Sequence, residues 1–224
     1  MTSPPRRLHY CVVATVLTAI AHVAAAAEPA APPRAGEWNF QVLLDGKPIG
    51  EHRFRLVAEA EGDQTRLTSD ARLDVNVLGF TAYHYRHSSI EHWRGACLAS
   101  LESTTDDDGT PSQVRFAISD APSSTRVAAA PPILEGCVMS FAYWHPAMRA
   151  QTRLLNAQTG KLEEVQVQRL AESRIRVRGE PVVAHGYRVS GASRPVEIWY
   201  AADGQWIGLD ATVGGGRQLS YRLR

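Results

Sequence analysis

The residues best equipped for chemistry lie together in one run, Tyr83-His84-Tyr85-Arg86-His87-Ser88-Ser89-Ile90-Glu91-His92-Trp93. In an extended chain alternate side chains share a face. Tyr83, Tyr85, His87, Glu91 and Trp93 therefore point one way, and His84, Arg86, Ile90 and His92 the other. Aromatic area beside an imidazole and a carboxylate suits a pocket wall, where rings supply contact and a few polar groups fix orientation. The same mixture also serves a core edge in which His87 and Glu91 hydrogen-bond to tyrosines or backbone. Both readings stand at this point.

The spacing limits which reactions these groups can run. His87 and Glu91 are four residues apart, roughly 13 Å along a strand, so they cannot share one metal ion unaided. A metal site would need His52, His145 or His185 from other strands, and no compact ligand motif is present; neither a metal nor another cofactor is expected. There is no Gly-x-Ser-x-Gly elbow. Glu163 and Glu164 fall on opposite faces of a strand and Asp106 to Asp108 in a turn, so neither forms an acid/base pair. Gly214 to Gly216 separates two strands and opens no phosphate-binding helix. No enzyme is indicated. A hydrolase or a metal-assisted catalyst remains the rival reading, and it requires His52, His87 and Glu91 to converge across neighbouring strands.

These residues sit on elements that read as strands. Asp45-Gly46, between Trp38–Leu44 and Ile49–Ala58, is a strong hairpin signal. Further strand-like runs cover 65–77, 81–93, 98–105, 113–119, 125–130, 162–170, 173–178, 182–190, 196–201, 206–213 and 218–223. Turns every eight to twelve residues point to an all-β, mainly antiparallel domain. The expected architecture is a single curled β-roll or half-barrel-like sheet of about ten to twelve short strands. Residues 138–149 lack alternation and are rich in Ala, Met and aromatics. They read as a short helix or two, with Pro146 opening a new turn. That helix, carrying Phe141, Tyr143, Trp144 and Met148, would form a plug or a lid.

The first 27 residues have the parts of a secretory signal: Arg6-Arg7, an apolar run from Cys11, and Ala24 to Ala27 before the first acid, Glu28. The apolar run is shorter than a membrane span needs, so cleavage near Ala27 is expected, leaving no transmembrane span and placing the chain in the periplasm. Residues 28–35 read as a Pro/Ala-rich disordered tether and residues 36–224 as one domain. Cleavage removes two of 24 basic residues and none of the 23 acidic ones. The near-neutral remainder has no basic block to attract nucleic acid. It keeps two of three cysteines, Cys97 and Cys137, and two cysteines in an exported chain are expected to pair.

The ordered motifs Trp38…Asp45-Gly46…Ile49-Gly50-x-His52-x-Phe54, Tyr83-x-Tyr85-x-His87-x-x-x-Glu91-x-Trp93…Cys97-Leu98 and Thr105…Gly109 resemble an exported bacterial family, the domain of unknown function 6134. Phe141-Ala142-Tyr143-Trp144-x-Pro146, Leu154-Leu155-Asn156-x-Gln158-Thr159-Gly160 and Trp199-Tyr200…Asp203-Gly204…Trp206 extend the resemblance from about Gly36 to Leu223. The family is similar to another exported group of unknown function, numbered 3108, thought to form a curled β-roll. More distantly the arrangement resembles half-barrel periplasmic lipid carriers. The resemblance implies a fold and a compartment, and it supplies no catalytic residue to carry over.

The leading expectation is a periplasmic binding or carrier protein for a small apolar or amphiphilic molecule. Tyr83, Tyr85 and Trp93 would line its cavity, with His52 on a neighbouring strand. His87 and Glu91 would hold a polar head, and Phe141 and Trp144 would belong to the lid. An envelope assembly factor using a sheet edge is the third reading.

Overall fold

Four two-residue turns set the framework. Asp45-Gly46, Leu78-Gly79, Asp108-Gly109 and Arg178-Gly179 all have positive φ at both positions, the backbone whose twist matches that of a tight hairpin. In the computed structural model, which describes residues 35–60, 63–119, 133–191 and 194–224, each joins two antiparallel strands. The strands are β1 (Gly36–Leu44), β2 (Lys47–Ala58), β3 (Gln64–Val77), β4 (Phe80–Arg94), β5 (Cys97–Asp107), β6 (Thr110–Ser119), β7 (Ile133–Glu135), β8 (Arg153–Leu155), β9 (Leu162–Arg169), β10 (Ser173–Val177), β11 (Glu180–Gly191), β12 (Val196–Tyr200), β13 (Trp206–Thr212) and β14 (Gln218–Leu223).

All fourteen belong to one curled sheet that does not close into a barrel. Its order is β7-β6-β5-β4-β3-β2-β1-β14-β13-β12-β11-β9-β8, with β10 paired to β11. Every pairing is antiparallel except β6 with β7. The all-β, curled-sheet expectation holds. The count exceeds ten to twelve partly because the three-residue β7 and β8 carry too little pattern to read. The leader (1–27), nearly all of the tether and the strand read at 125–130 lie outside the described residues. Among the described residues no helix is long and apolar enough to cross a membrane.

Alternation fixes the inner face. Trp38, Phe40, Val42 and Leu44 of β1 are buried, as are Leu67, Ser69, Ala71 and Leu73 of β3 and His87, Ser89, Glu91 and Trp93 of β4. The intervening residues, such as Arg53, Arg55 and Arg72, face solvent and pair with Glu51, Glu37 and Asp70. Exposed pairs of this kind contribute little to stability. Burial of the inner face therefore holds the sheet together.

Residues 137–145 differ from the helix read from sequence. The chain runs in bends through the interior, and the only helical turn nearby is a five-residue 3-10 turn at Pro146–Ala150. Its backbone groups are taken by strands: Leu98 N–H donates to the Val138 carbonyl and Leu155 N–H to that of Met139. Pro146 has no N–H with which to continue a helix through it. Met139, Ala142, Trp144, His145 and Met148 are all buried, so there is no polar face to set a helical period. The plug exists, but it is strand-stitched. A Cys97–Cys137 disulfide ties its start to β5.

One glycine shows how tightly the far half packs. A Cβ on Gly186 would lie 2.5 Å from the ring of Trp199, its partner across β11 and β12. Gly186→Val should therefore destabilise by about 1–3 kcal/mol. A chemical melt checks this, and wild-type stability would mean that the indole has room to move.

Candidate functional site

The register of β2 to β5 places three rows of inner-face residues side by side. The first is His52, Ala71, His87, Thr105; the second Phe54, Ser69, Ser89, Ser103; the third Leu56, Leu67, Glu91, Leu101. The middle row has serines on three adjacent strands, between bulkier rows on either side. Small side chains there leave a hollow, and the plug faces it without filling it.

The result is a cavity of about 200 Å³. Its sheet wall is His52, Phe54, Leu67, Ser69, His87, Ser89 and Glu91. Ser140 to Trp144 of the plug stand opposite, and Asn156 to Gln158, Glu163, Val165, Val189 to Gly191, Arg194, Val196 and Trp206 complete the lining. Glu163 is buried and accepts from Asn156 Nδ2 at 2.8 Å. Arg194 is exposed. The indole N–H of Trp144, a residue only 5% exposed, has no hydrogen-bond partner among the described residues.

Each polar group on the sheet wall is held by a neighbour. Glu91 Oε2 accepts from Trp93 Nε1 and from Ser140 Oγ, both at 3.0 Å. Burial pushes its carboxyl up to about 7, although these two donors pull the other way. His52 Nε2 lies 2.7 Å from Ser69 Oγ, and its ring stacks on Phe54 with centroids 4.0 Å apart. Burial pushes His52 down to about 3. His87 Nδ1 lies 2.8 Å from Thr105 Oγ1, and burial lowers its pKa as well. Both imidazoles are therefore neutral at pH 7 and act as hydrogen-bonding groups.

That decides how the Ser69–His52 contact reads. A serine nucleophile needs a base near neutral pKa, oriented by a third group. His52 is far too weak a base, and its other nitrogen faces Tyr221 Oη at 3.4 Å with no carboxylate on it. Ser69 sits mid-strand between two ladders, so nearby N–H groups cannot form an oxyanion hole. Nor do the histidines make a metal centre. His52 and His87 are two strands apart, roughly 10 Å at the backbone, and no group of three His, Cys, Asp or Glu could hold a metal ion among the described residues. His145 accepts from Ala147 N, and His185, on β11, stands beside Glu172.

Five of the residues picked from sequence line the cavity: His52, His87, Glu91, Phe141 and Trp144. Trp93 lies in the core, fully buried, edge-on to Trp144 at 5.4 Å. Tyr83 and Tyr85 share its face but stand outside the cavity, toward the β3–β4 turn. Tyr83 donates to Asp107 at 2.6 Å. Phe54, Ser69, Ser89, Ser140, Glu163 and Trp206 join the lining without having been read as site residues. Glu163 had a signal: it shares strand parity with Val165, an inward position where a carboxylate is out of place.

A family model for a domain of unknown function, DUF6134, matches residues 40–224. The chain belongs to that family. Among curated proteins none matches the sequence. DUF6134 membership brings no assigned reaction or ligand, so what this DUF6134 chain does must be argued from its cavity.

Proposed function

We propose that the chain is an exported periplasmic protein that binds or carries a small amphiphilic molecule in this cavity. One observation carries the reading: hydrogen-bonding groups and aromatic rings converge on a hollow that the plug leaves open. His52, His87 and Glu91 offer polar contacts, while Phe54, Phe141 and Trp206 offer apolar area. The volume sets the scale. About 200 Å³ is below the roughly 300–1,000 Å³ of sites for drug-sized ligands. The ligand is small, or it keeps part of itself outside near Arg194, and a whole acyl chain does not fit.

Native mass spectrometry on protein purified gently from the envelope tests this. Wild type should carry an added small-molecule mass, and Ser89→Leu, which fills the serine row, should lose it while keeping its fold. An adduct that survives Ser89→Leu, or wild type that carries none and binds none from an envelope extract, would remove the cavity from the account.

A further inference from the structure

β3 and β4 outrun their neighbours. The last β2 partner of β3 is Gly50, opposite Leu73, and the last β5 partner of β4 is Asp107, opposite Tyr85. Beyond these come Asp74–His84, where Asp108 N–H still donates to the His84 carbonyl, and then Val75–Tyr83, Asn76–Thr81 and Val77–Phe80, where the two strands pair only with each other. Three residues from Val75 to the turn extend roughly 10 Å, so the end of the hairpin stands out as an arm with both edges free.

Its tip is apolar where tips are ordinarily polar. Leu78 is 94% exposed, Phe80 79% and Val77 55%. From Val75 through Tyr83 no residue is charged. Leu78 also holds a left-handed φ of 52°, a region that bulky side chains disfavour and that Asn, Asp and Gly adopt readily. The other three turns of this type use Asp45, Asp108 and Arg178 at the same position. Leucine here helps neither the backbone nor the core, since among the described residues nothing packs on it.

Charge resumes at the base, already paired. Arg86 Nη2 binds Asp74 at 2.7 Å, and His84 stands 3.3 Å from Asp106 and 3.4 Å from Asp108. Tyr83, an amphipathic ring suited to a headgroup level, marks the boundary.

We propose that this tip is a membrane anchor that dips Val77, Leu78 and Phe80 into the apolar edge of a lipid bilayer. Three side chains expose on the order of 400 Å², well short of the roughly 800 Å² per partner that a stable protein interface needs, yet enough for shallow, reversible seating in a bilayer. The base is rich in aspartate, so attraction to anionic headgroups does not drive the contact. The inference stands apart from the cavity and holds whether or not a ligand occupies it.

Flotation with phosphatidylcholine vesicles tests it. Wild type should float with the vesicles, with no gain from added anionic lipid. Leu78→Asp and Phe80→Asp should each cut the bound fraction by roughly tenfold or more. Leu78→Asp recreates the Asp-Gly turn used elsewhere in the chain, so its melting temperature should equal or exceed that of wild type. Wild type that stays with the soluble fraction, or variants that float as well as it does, would overturn the anchor. So would a dimer in sedimentation velocity that Leu78→Asp dissociates, which would give the tip to a second copy.

Discussion

Glu91→Gln should raise the free energy of unfolding at pH 8 by about 3 kcal/mol and leave it unchanged at pH 4. The carboxyl titrates near its ordinary 4.5 when unfolded and at about 7 when folded. At 1.36 kcal/mol per unit, the displacement amounts to about 3 kcal/mol. Between these values the folded chain holds a proton that the unfolded chain has lost. Stability therefore falls as pH rises through this window, and the full loss is reached above pH 7. Glutamine removes the titration and can still accept from Trp93 and Ser140. Urea unfolding across the pH range checks this: the curves should separate between pH 5 and 8, and parallel curves would mean that Glu91 is ionised without strain. The acid limb should be common to both proteins. His52, His87 and His145 are all depressed by burial, so they stay neutral in the fold while the unfolded chain takes up protons below about pH 6.5. Their contribution is present above that pH and is lost on acidification. Between about pH 4.5 and 6.5 the two contributions change in opposite directions, and the Glu91→Gln protein keeps the acid limb alone.

Breaking the Cys97–Cys137 bond should cost about 4 kcal/mol, the chain-entropy value for a ring spanning 40 residues. The loss should also be local in character. The bond fixes the start of residues 137–145, whose next attachments are the Val138 and Met139 carbonyls bonded to Leu98 and Leu155. Without it the plug relies on those bonds and on apolar packing, so the cavity wall should loosen before the sheet does. Equilibrium unfolding with and without reductant gives the magnitude. Hydrogen exchange at Val138 to Trp144 gives the location. Equal protection in both states would show that packing alone holds the plug.

How far the sequence speaks follows from these same residues. Hairpins were legible because Asp-Gly dipeptides and two-residue alternation encode turn and face directly, which placed most strands of the N-terminal half within a few residues. Alternation also put His87 and Glu91 on the inner face beside His52. It could not give depth: Trp93 has their parity yet lies behind the cavity, and Tyr83 and Tyr85 lie beyond its rim. Both facts depend on cross-strand register, which fixes which rows face one another. The serine row was hidden for that reason, since Ser69, Ser89 and Ser103 mean little until they are side by side. The plug was misread because its strand partners, Leu98 and Leu155, are far away in sequence and leave no local period.

The place of β1 has a consequence for how the molecule comes into being. β1 lies mid-sheet, between β2 and β14, with Phe40 opposite Leu223 and Leu44 opposite Leu219. The first and last of the described strands thus meet at the centre of the sheet, while β7 and β8 stand at the ends of its order. β1 to β6 can zip up as successive local hairpins, but the seam waits for β14 (Gln218–Leu223) to be delivered. Until β14 arrives, β1 keeps one edge unpaired. A chain truncated before Gln218 should retain that open edge and be prone to aggregate.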